Sequence, residues 1–272
     1  AENAVRCAVA VALVLSGSTE PLGYGLALLA GYAVVAGWPS ALVPQRPSDD
    51  AAEASSVNHR PLSFVSGASA GQLFAQASLT GGPVLLAAIG GAPTEVTVLF
   101  AGLALFRAPY TLALGMVSAL TGRLTVLVEG RNWATLTRLR RRVVVVTVGL
   151  TVTGAGLGAW WGPPVMELIF GTGVRLSAGD AALVAVGTVL AMANLVFTVG
   201  LLARDRTGSV VLSWMVAIPC GALALWWVEA DLVTRVCWTF VVIEVAAWAG
   251  LLMTEIGSDR LVGRQEDRGP ER

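Results

Sequence analysis

The chain has 272 residues, of which 55% are hydrophobic and only 13% charged, with a mean hydropathy of +0.72; a soluble domain carries about 25% charged residues. That composition excludes an ordinary soluble fold. A formal net charge of zero gives no reason to expect a nucleic-acid partner, so the informative quantity is where the charges sit along the chain.

A helix needs roughly 20 apolar residues to cross about 30 Å of hydrocarbon. Runs of this kind fall at 4–17, 22–43, 61–89, 93–118, 143–162, 179–203, 209–228 and 232–256, which predicts about eight spans. The first run is short and Ala1-Glu2-Asn3 lacks an initiator Met, so the chain is expected to begin partway through a longer gene product. A signal-peptide core at Cys7–Leu15 is the alternative. Ser16-Gly17-Ser18-Thr19-Glu20 makes a poor cleavage site and a second apolar run follows at once, which favours a transmembrane helix.

Between the second and third runs lies PQRPSDDAAEASSVNHRP, Pro44–Pro61, whose charge and Pro/Ser/Ala content argue against a packed element. The predicted organisation is an all-α polytopic bundle of two plus six helices. Two helices occupy 1–43, a cytoplasmic linker 44–60, a six-helix bundle 61–256 and a cytoplasmic tail 257–272. Arginines sort by side. Arg46 and Arg60, then Arg123, Arg131, Arg138, Arg140, Arg141 and Arg142, then Arg204 and Arg206, then Arg260, Arg264, Arg268 and Arg272 all fall on one face if every run crosses. The opposite connections hold Glu20, Glu95, Glu167, Asp180, Glu229 and Asp231, with Arg175 and Arg235 as their basic residues. By the positive-inside rule the arginine face is cytoplasmic, both termini included, in a plasma or inner membrane.

Within the basic loop, VEGRNWATLTRLRRR (Val128–Arg142) places Trp133, Leu136 and Leu139 at helical spacing among Arg131, Arg138, Arg140, Arg141 and Arg142. Either this is a short interfacial helix on membrane lipid or it is a stop-transfer loop whose charges set topology. Trp38, Trp160, Trp161, Trp226 and Trp227 cluster at span ends, where an aromatic belt accounts for them.

Chemistry-bearing motifs are few. Cys7, Cys220 and Cys237 lie in apolar runs without CxxC spacing, and the single histidine, His59, stands in the polar linker. No HExxH, P-loop, GxSxG or dinucleotide fingerprint occurs, so neither an enzyme nor a cofactor or metal site is expected. Charge inside the bilayer is costly, which singles out Arg107 in LALFRAPYTLAL and Glu244 in FVVIEVAAWAG. Either Arg107 faces an internal cavity and meets an anionic group such as a phosphate, or it pairs with Glu244 and holds helices together. Pro109 is expected to weaken the helix beside Arg107.

Ser66, Ser69, Gln72, Gln76 and Thr80 recur at helical steps beside Gly67-x-x-x-Gly71. Such a stripe either lines a conduit or bonds to a neighbouring helix. Asn194 and Tyr110 are weaker candidates of the same kind. The substrate-cavity candidates are therefore Arg107, Gln72, Gln76, Asn194 and Glu244.

Three short strings carry a family resemblance. They are Leu127-Val128-Glu129-Gly130-Arg131 before the basic loop, Glu167-Leu168-Ile169-Phe170-Gly171-Thr172-Gly173 just outside the next helix, and Gly200-Leu201-Leu202-Ala203-Arg204-Asp205-Arg206-Thr207-Gly208. In their order and side, residues 61–256 resemble the carboxy-terminal six-helix half of the multidrug/oligosaccharidyl-lipid/polysaccharide flippase superfamily, in particular the polysaccharide and lipid-linked-oligosaccharide exporters. The resemblance implies a MATE-like half and alternating access for a lipid-linked glycan. It also implies that 4–43 are the last two helices of an amino-terminal half, the remainder being a missing segment or a partner subunit. The alternatives are a multidrug or cation antiporter and a non-transporting scaffold of an envelope-assembly complex.

Overall fold

The computed structural model describes residues 61–130 and 133–267 with the single positions 12 and 16, and no side chain at 61–66, 118–119 or 258–267. The chain divides into two units, Ala1–His59 and Arg60–Arg272. Apart from positions 12 and 16, the runs 4–17 and 22–43 and the linker 44–60 lie outside the described residues. So do Arg131, Arg268 and Arg272.

Regular structure among the described residues is entirely helical: α1 (Pro61–Ala88), α2 (Pro93–Phe106), α3 (Ala108–Gly115), α4 (Val117–Glu129), α5 (Trp133–Phe170), α6 (Ala178–Leu202), α7 (Thr207–Trp227) and α8 (Leu232–Asp267). Five stretches are long and apolar enough to cross a membrane, namely Pro93–Gly115, Trp133–Phe170, Ala178–Leu202, Thr207–Trp227 and Leu232–Gly257. This is the helix set that a multi-pass membrane protein requires. At 28 residues α1 is long enough as well, but Gln72, Gln76 and its serines and threonines dilute its hydropathy.

The exterior matches a lipid solvent. Trp160, Leu168, Trp226 and Trp227 are each 80–85% exposed, which water would penalise and hydrocarbon does not. Burial concentrates on α6, whose most apolar window is 67% buried against 11% for that of α5. Helix α6 packs on α5 and α8, α7 on α8, and α1 on α7, α8 and α2. Small residues set these approaches. A Cβ on Gly187 of α6 would lie 2.3 Å from Phe240, and one on Gly221 of α7 would lie 2.2 Å from Ile243.

The expected span 143–162 is part of a longer element. Helix α5 runs unbroken through 38 residues, about 57 Å at 1.5 Å per residue, well beyond a hydrocarbon core. The stretch around Trp133–Arg142 is therefore the first turns of α5 and not a separate interfacial helix. It stays helical because Leu136 is buried with Leu124 of α4 and Val199 of α6, and Trp133 and Leu139 pack beside them. Glu167–Phe170, expected outside the helix, forms its last turn, and Gly171 and Gly173 end it with φ of 97° and 92°, values that only glycine adopts freely.

The two ends of the bundle differ in chemistry. At one end Arg204, in the α6–α7 turn, ion-pairs with Glu255 of α8 at 3.5 Å and lies 5.8 Å over the Trp133 ring. Gly67 of α1 meets Thr207 of α7 at the same end. At the other end α2, α6 and α8 begin, and acidic residues and a serine serve their N-termini. Glu95 Oε2 accepts from the Ala92 N–H at 2.9 Å, Ser177 Oγ accepts from the Asp180 N–H at 3.1 Å, and Asp231 Oδ2 accepts from the Thr234 N–H at 3.1 Å. Arg235, one of the basic residues on this acidic side, donates to the Leu225 carbonyl through Nη2 at 2.6 Å and Nε at 3.1 Å, closing the last turn of α7.

Candidate functional site

Two sites emerge from the polar residues predicted to lie within the membrane. The first surrounds Arg107. Helices α2 and α3 meet at this residue, and the helical bonds continue across it: the Arg107 N–H donates to Leu103 O at 2.9 Å and the Thr111 N–H to Arg107 O at 3.0 Å. The break coincides with Pro109, which has no N–H to offer the ladder. Arg107 Nη2 donates to Gln76 Oε1 of α1 at 2.6 Å, while its buried Nε makes no hydrogen bond. The guanidinium borders a cleft of about 420 Å³ between α1, α2 and α3, lined also by Thr80, Pro83, Phe100, Leu103, Ala104, Ala108 and Thr111. The arrangement can present a fixed planar cation to a ligand at membrane depth.

The second site is enclosed. Glu244, about a third of the way along α8, is 0% exposed. Ser78 Oγ donates to its Oε1 at 2.7 Å, and Asn194 Nδ2 donates to its Oε2 at 2.8 Å and to its backbone carbonyl at 3.0 Å. A carbonyl can only accept, so the last bond fixes which way the Asn194 amide faces. Its Oδ1 is left buried without a partner, as is Trp214 Nε1. Gln72, Tyr110, Asn194, Trp214 and Glu244 line a void of about 10 Å³, and Tyr110 is 1% exposed.

The five cavity candidates thus divide. Arg107 lines the open cleft and holds Gln76 by a hydrogen bond; Gln72, Asn194 and Glu244 share the enclosed void. Arg107 and Glu244 do not pair, because each is satisfied by neutral amide or hydroxyl groups. The α1 stripe serves several neighbours at once: Gly67 and Gly71 pack against Thr207 and Val210 of α7, Gln76 accepts from Arg107, Thr80 lines the cleft and Gln72 lines the void.

Sequence reasoning missed Ser78 and Trp214. Ser78 falls outside the 72–76–80 stripe, and its one signal is its place a heptad after Gly71, on the face that meets the bundle. Trp214 reads as one more apolar residue of α7. Of the basic segment, Arg138, Arg141 and Arg142 are exposed and Arg140 is half-buried along the first turns of α5. Cys237 is buried and Cys220 half-buried. Among the described residues no group of His, Cys, Asp and Glu has the makings of a metal site.

Comparison with protein-family models, with curated proteins and with solved structures finds no match. The functional reading therefore rests on the two sites themselves.

Proposed function

We propose that this chain is the carboxy-terminal part of an alternating-access exporter of the multidrug/oligosaccharidyl-lipid/polysaccharide type, which moves a lipid-linked oligosaccharide or polysaccharide precursor. On this reading the chain crosses the membrane about eight times, with the arginine-bearing end and both termini cytoplasmic. One observation carries it: Arg107 stands at a helix break on a cleft of about 420 Å³, tied to Gln76 at 2.6 Å, with Nε unpaired. A cation held by a neutral amide, and not by a carboxylate, keeps its charge available to an incoming phosphate or pyrophosphate.

Alternating access supplies the mechanism. A lipid-linked anion enters the cleft from one side, its charge meets Arg107, and its lipid portion stays among apolar lining residues such as Phe100 and Leu103. Release on the other side requires that Arg107 move away from the first opening, and the α2–α3 break gives the helix a place to bend.

Reconstituted liposomes test the reading. Arg107→Ala is expected to lower lipid-linked glycan translocation by about 10-fold or more, the scale of one charge-assisted contact, with Arg107→Lys intermediate. Wild-type translocation by Arg107→Ala would remove Arg107 from the substrate path.

A second reading, a cation antiporter, is favoured by Glu244, a carboxyl at depth with no partner of opposite charge. In that case a cationic dye would be transported and Glu244→Gln would abolish its uptake while Arg107→Ala would not. A membrane scaffold would show transport of neither.

A further inference from the structure

Glu244 is the buried ionisable group that the lipid-anion reading leaves unused. A carboxylate taken into a low-dielectric interior needs either a cation or a proton. No cation is in place. Helix α1 faces Glu244 with neutral Ser78 and Gln72, α6 with Asn194 and α7 with Trp214. Arg107, at the α2–α3 break, is engaged by Gln76, and Tyr110 of α3 lines the same void as Glu244. Among the described side chains of the packed helices, the other titratable groups are Asp180, Cys220, Arg235, Cys237 and Glu255, each on another turn and none hydrogen-bonded to it. Asp180 is engaged at the far end by Ser177 and Thr234.

The surroundings accommodate two protonation states without rearranging a helix. With the carboxylate ionised, the Ser78 hydroxyl and the Asn194 amide both donate to it, as observed. With a proton on Oε1, the new O–H donates to Ser78 Oγ. The serine hydroxyl then turns to the carbonyl one helical turn back, at Phe74, a bond that helical serines make readily. Asn194 keeps its two bonds throughout, because its amide is fixed by the Glu244 carbonyl.

A delivery point adjoins the carboxyl. The void of about 10 Å³ beside Glu244 is at the lower bound for one water molecule. Its wall carries one unused acceptor, Asn194 Oδ1, and one unused donor, Trp214 Nε1. That pair complements a water, which donates to the first and accepts from the second while touching the carboxyl.

We propose that Glu244 is a reversible proton-binding site, loaded through the water-sized void it shares with Asn194 and Trp214 and switched by rotation of the Ser78 hydroxyl. In loading, a hydronium in the void gives its proton to Glu244, an O–H bond forms at Oε1, and neutral water remains. The reverse step returns the proton to the void. The proton site is independent of the cargo assigned to Arg107, and its failure would leave that assignment standing.

The full 272-residue chain in lipid nanodiscs, followed by infrared difference spectroscopy across a pH titration, tests it. The expected result is a carboxylic-acid carbonyl band that appears as pH falls, shifts with isotope-labelled glutamate, is lost in Glu244→Gln and is unchanged when choline replaces sodium. Ser78→Ala is expected to keep the band at a displaced frequency, since the acid loses its hydroxyl partner. Isotope labelling and Ser78→Ala decide the matter even if Glu244→Gln does not fold. A band that survives in Glu244→Gln, one that is unmoved by both labelling and Ser78→Ala, or the absence of any band would overturn the proposal. Loss of the band on adding sodium at constant pH would overturn it too, in favour of a metal cation.

Discussion

Arg107 and Glu244 are both charged-type residues inside apolar helices, yet the fold treats them differently. Arg107 stands where a helix is broken, half-buried on the wall of a large cleft. Glu244 stands in an unbroken helix, fully buried, with a donor on each carboxyl oxygen. An ionisable group that keeps an open side is arranged for something that comes and goes. One with every partner supplied from within is arranged to be held, and the smallest thing that can still reach it is a proton. Two residues that look equivalent as isolated charges in apolar runs thus point to different chemistry once their surroundings are known.

That contrast can be broken or sharpened by substitution. The largest effect is expected at the enclosed site. Asn194→Leu removes the donor to both the carboxyl and the backbone carbonyl of Glu244, and should destabilise the protein by about 2–4 kcal/mol, because buried acceptors are left unpaired. Thermal unfolding in detergent reads this, and an unchanged midpoint would mean that Glu244 does not depend on Asn194. At the open site the expected loss is functional. Arg107→Ala should reduce translocation by about 10-fold while changing stability by less than about 1 kcal/mol, since the hydrogen bond its side chain makes inside the protein is to Gln76.

A smaller effect is expected where the acidic end caps its helices. Asp231 is held below the ordinary carboxylate range, chiefly by the Thr234 N–H that it accepts. Its stabilisation is therefore complete above the unfolded value, near pH 4, and is lost as pH falls through the lowered folded value. Asp231→Ala should cost about 1 kcal/mol at neutral pH, and the difference from wild type should vanish in strong acid. Glu244→Gln comes last, at less than about 1 kcal/mol, because a neutral isostere retains an oxygen for the Asn194 donor. A large loss there would mean that the charge itself is structural, against a site built to take up a proton.

Much of the helical layout was legible because hydropathy and arginine position are one-dimensional signals. The apolar runs from 93 to 256 each coincide with helix, and the arginine-bearing connections near Arg138 and Arg204 meet at one end through Trp133 and Glu255. Glu95 and Asp231, at the opposite end, also have a local task that the sorting rule does not contain: each accepts a backbone N–H at the start of a helix. The reach of α5 was hidden, since arginines at 138–142 read as a loop until Leu136 is seen buried against Leu124 and Val199. The candidate residues were found, but their grouping was not. Whether Arg107 meets Glu244 depends on how α2 and α8 are rotated about their axes, which hydropathy does not encode. Ser78, one hydroxyl among many in α1, gains meaning only from the carboxyl opposite it.

The difference between the two sites can be measured directly by labelling single cysteines placed at 107 and 244, with the native cysteines replaced, using a membrane-impermeant maleimide on intact proteoliposomes. The account predicts rapid labelling of Arg107→Cys and no labelling of Glu244→Cys until the protein is unfolded. Equal labelling at the two positions, or protection of position 107 without any ligand, would contradict it.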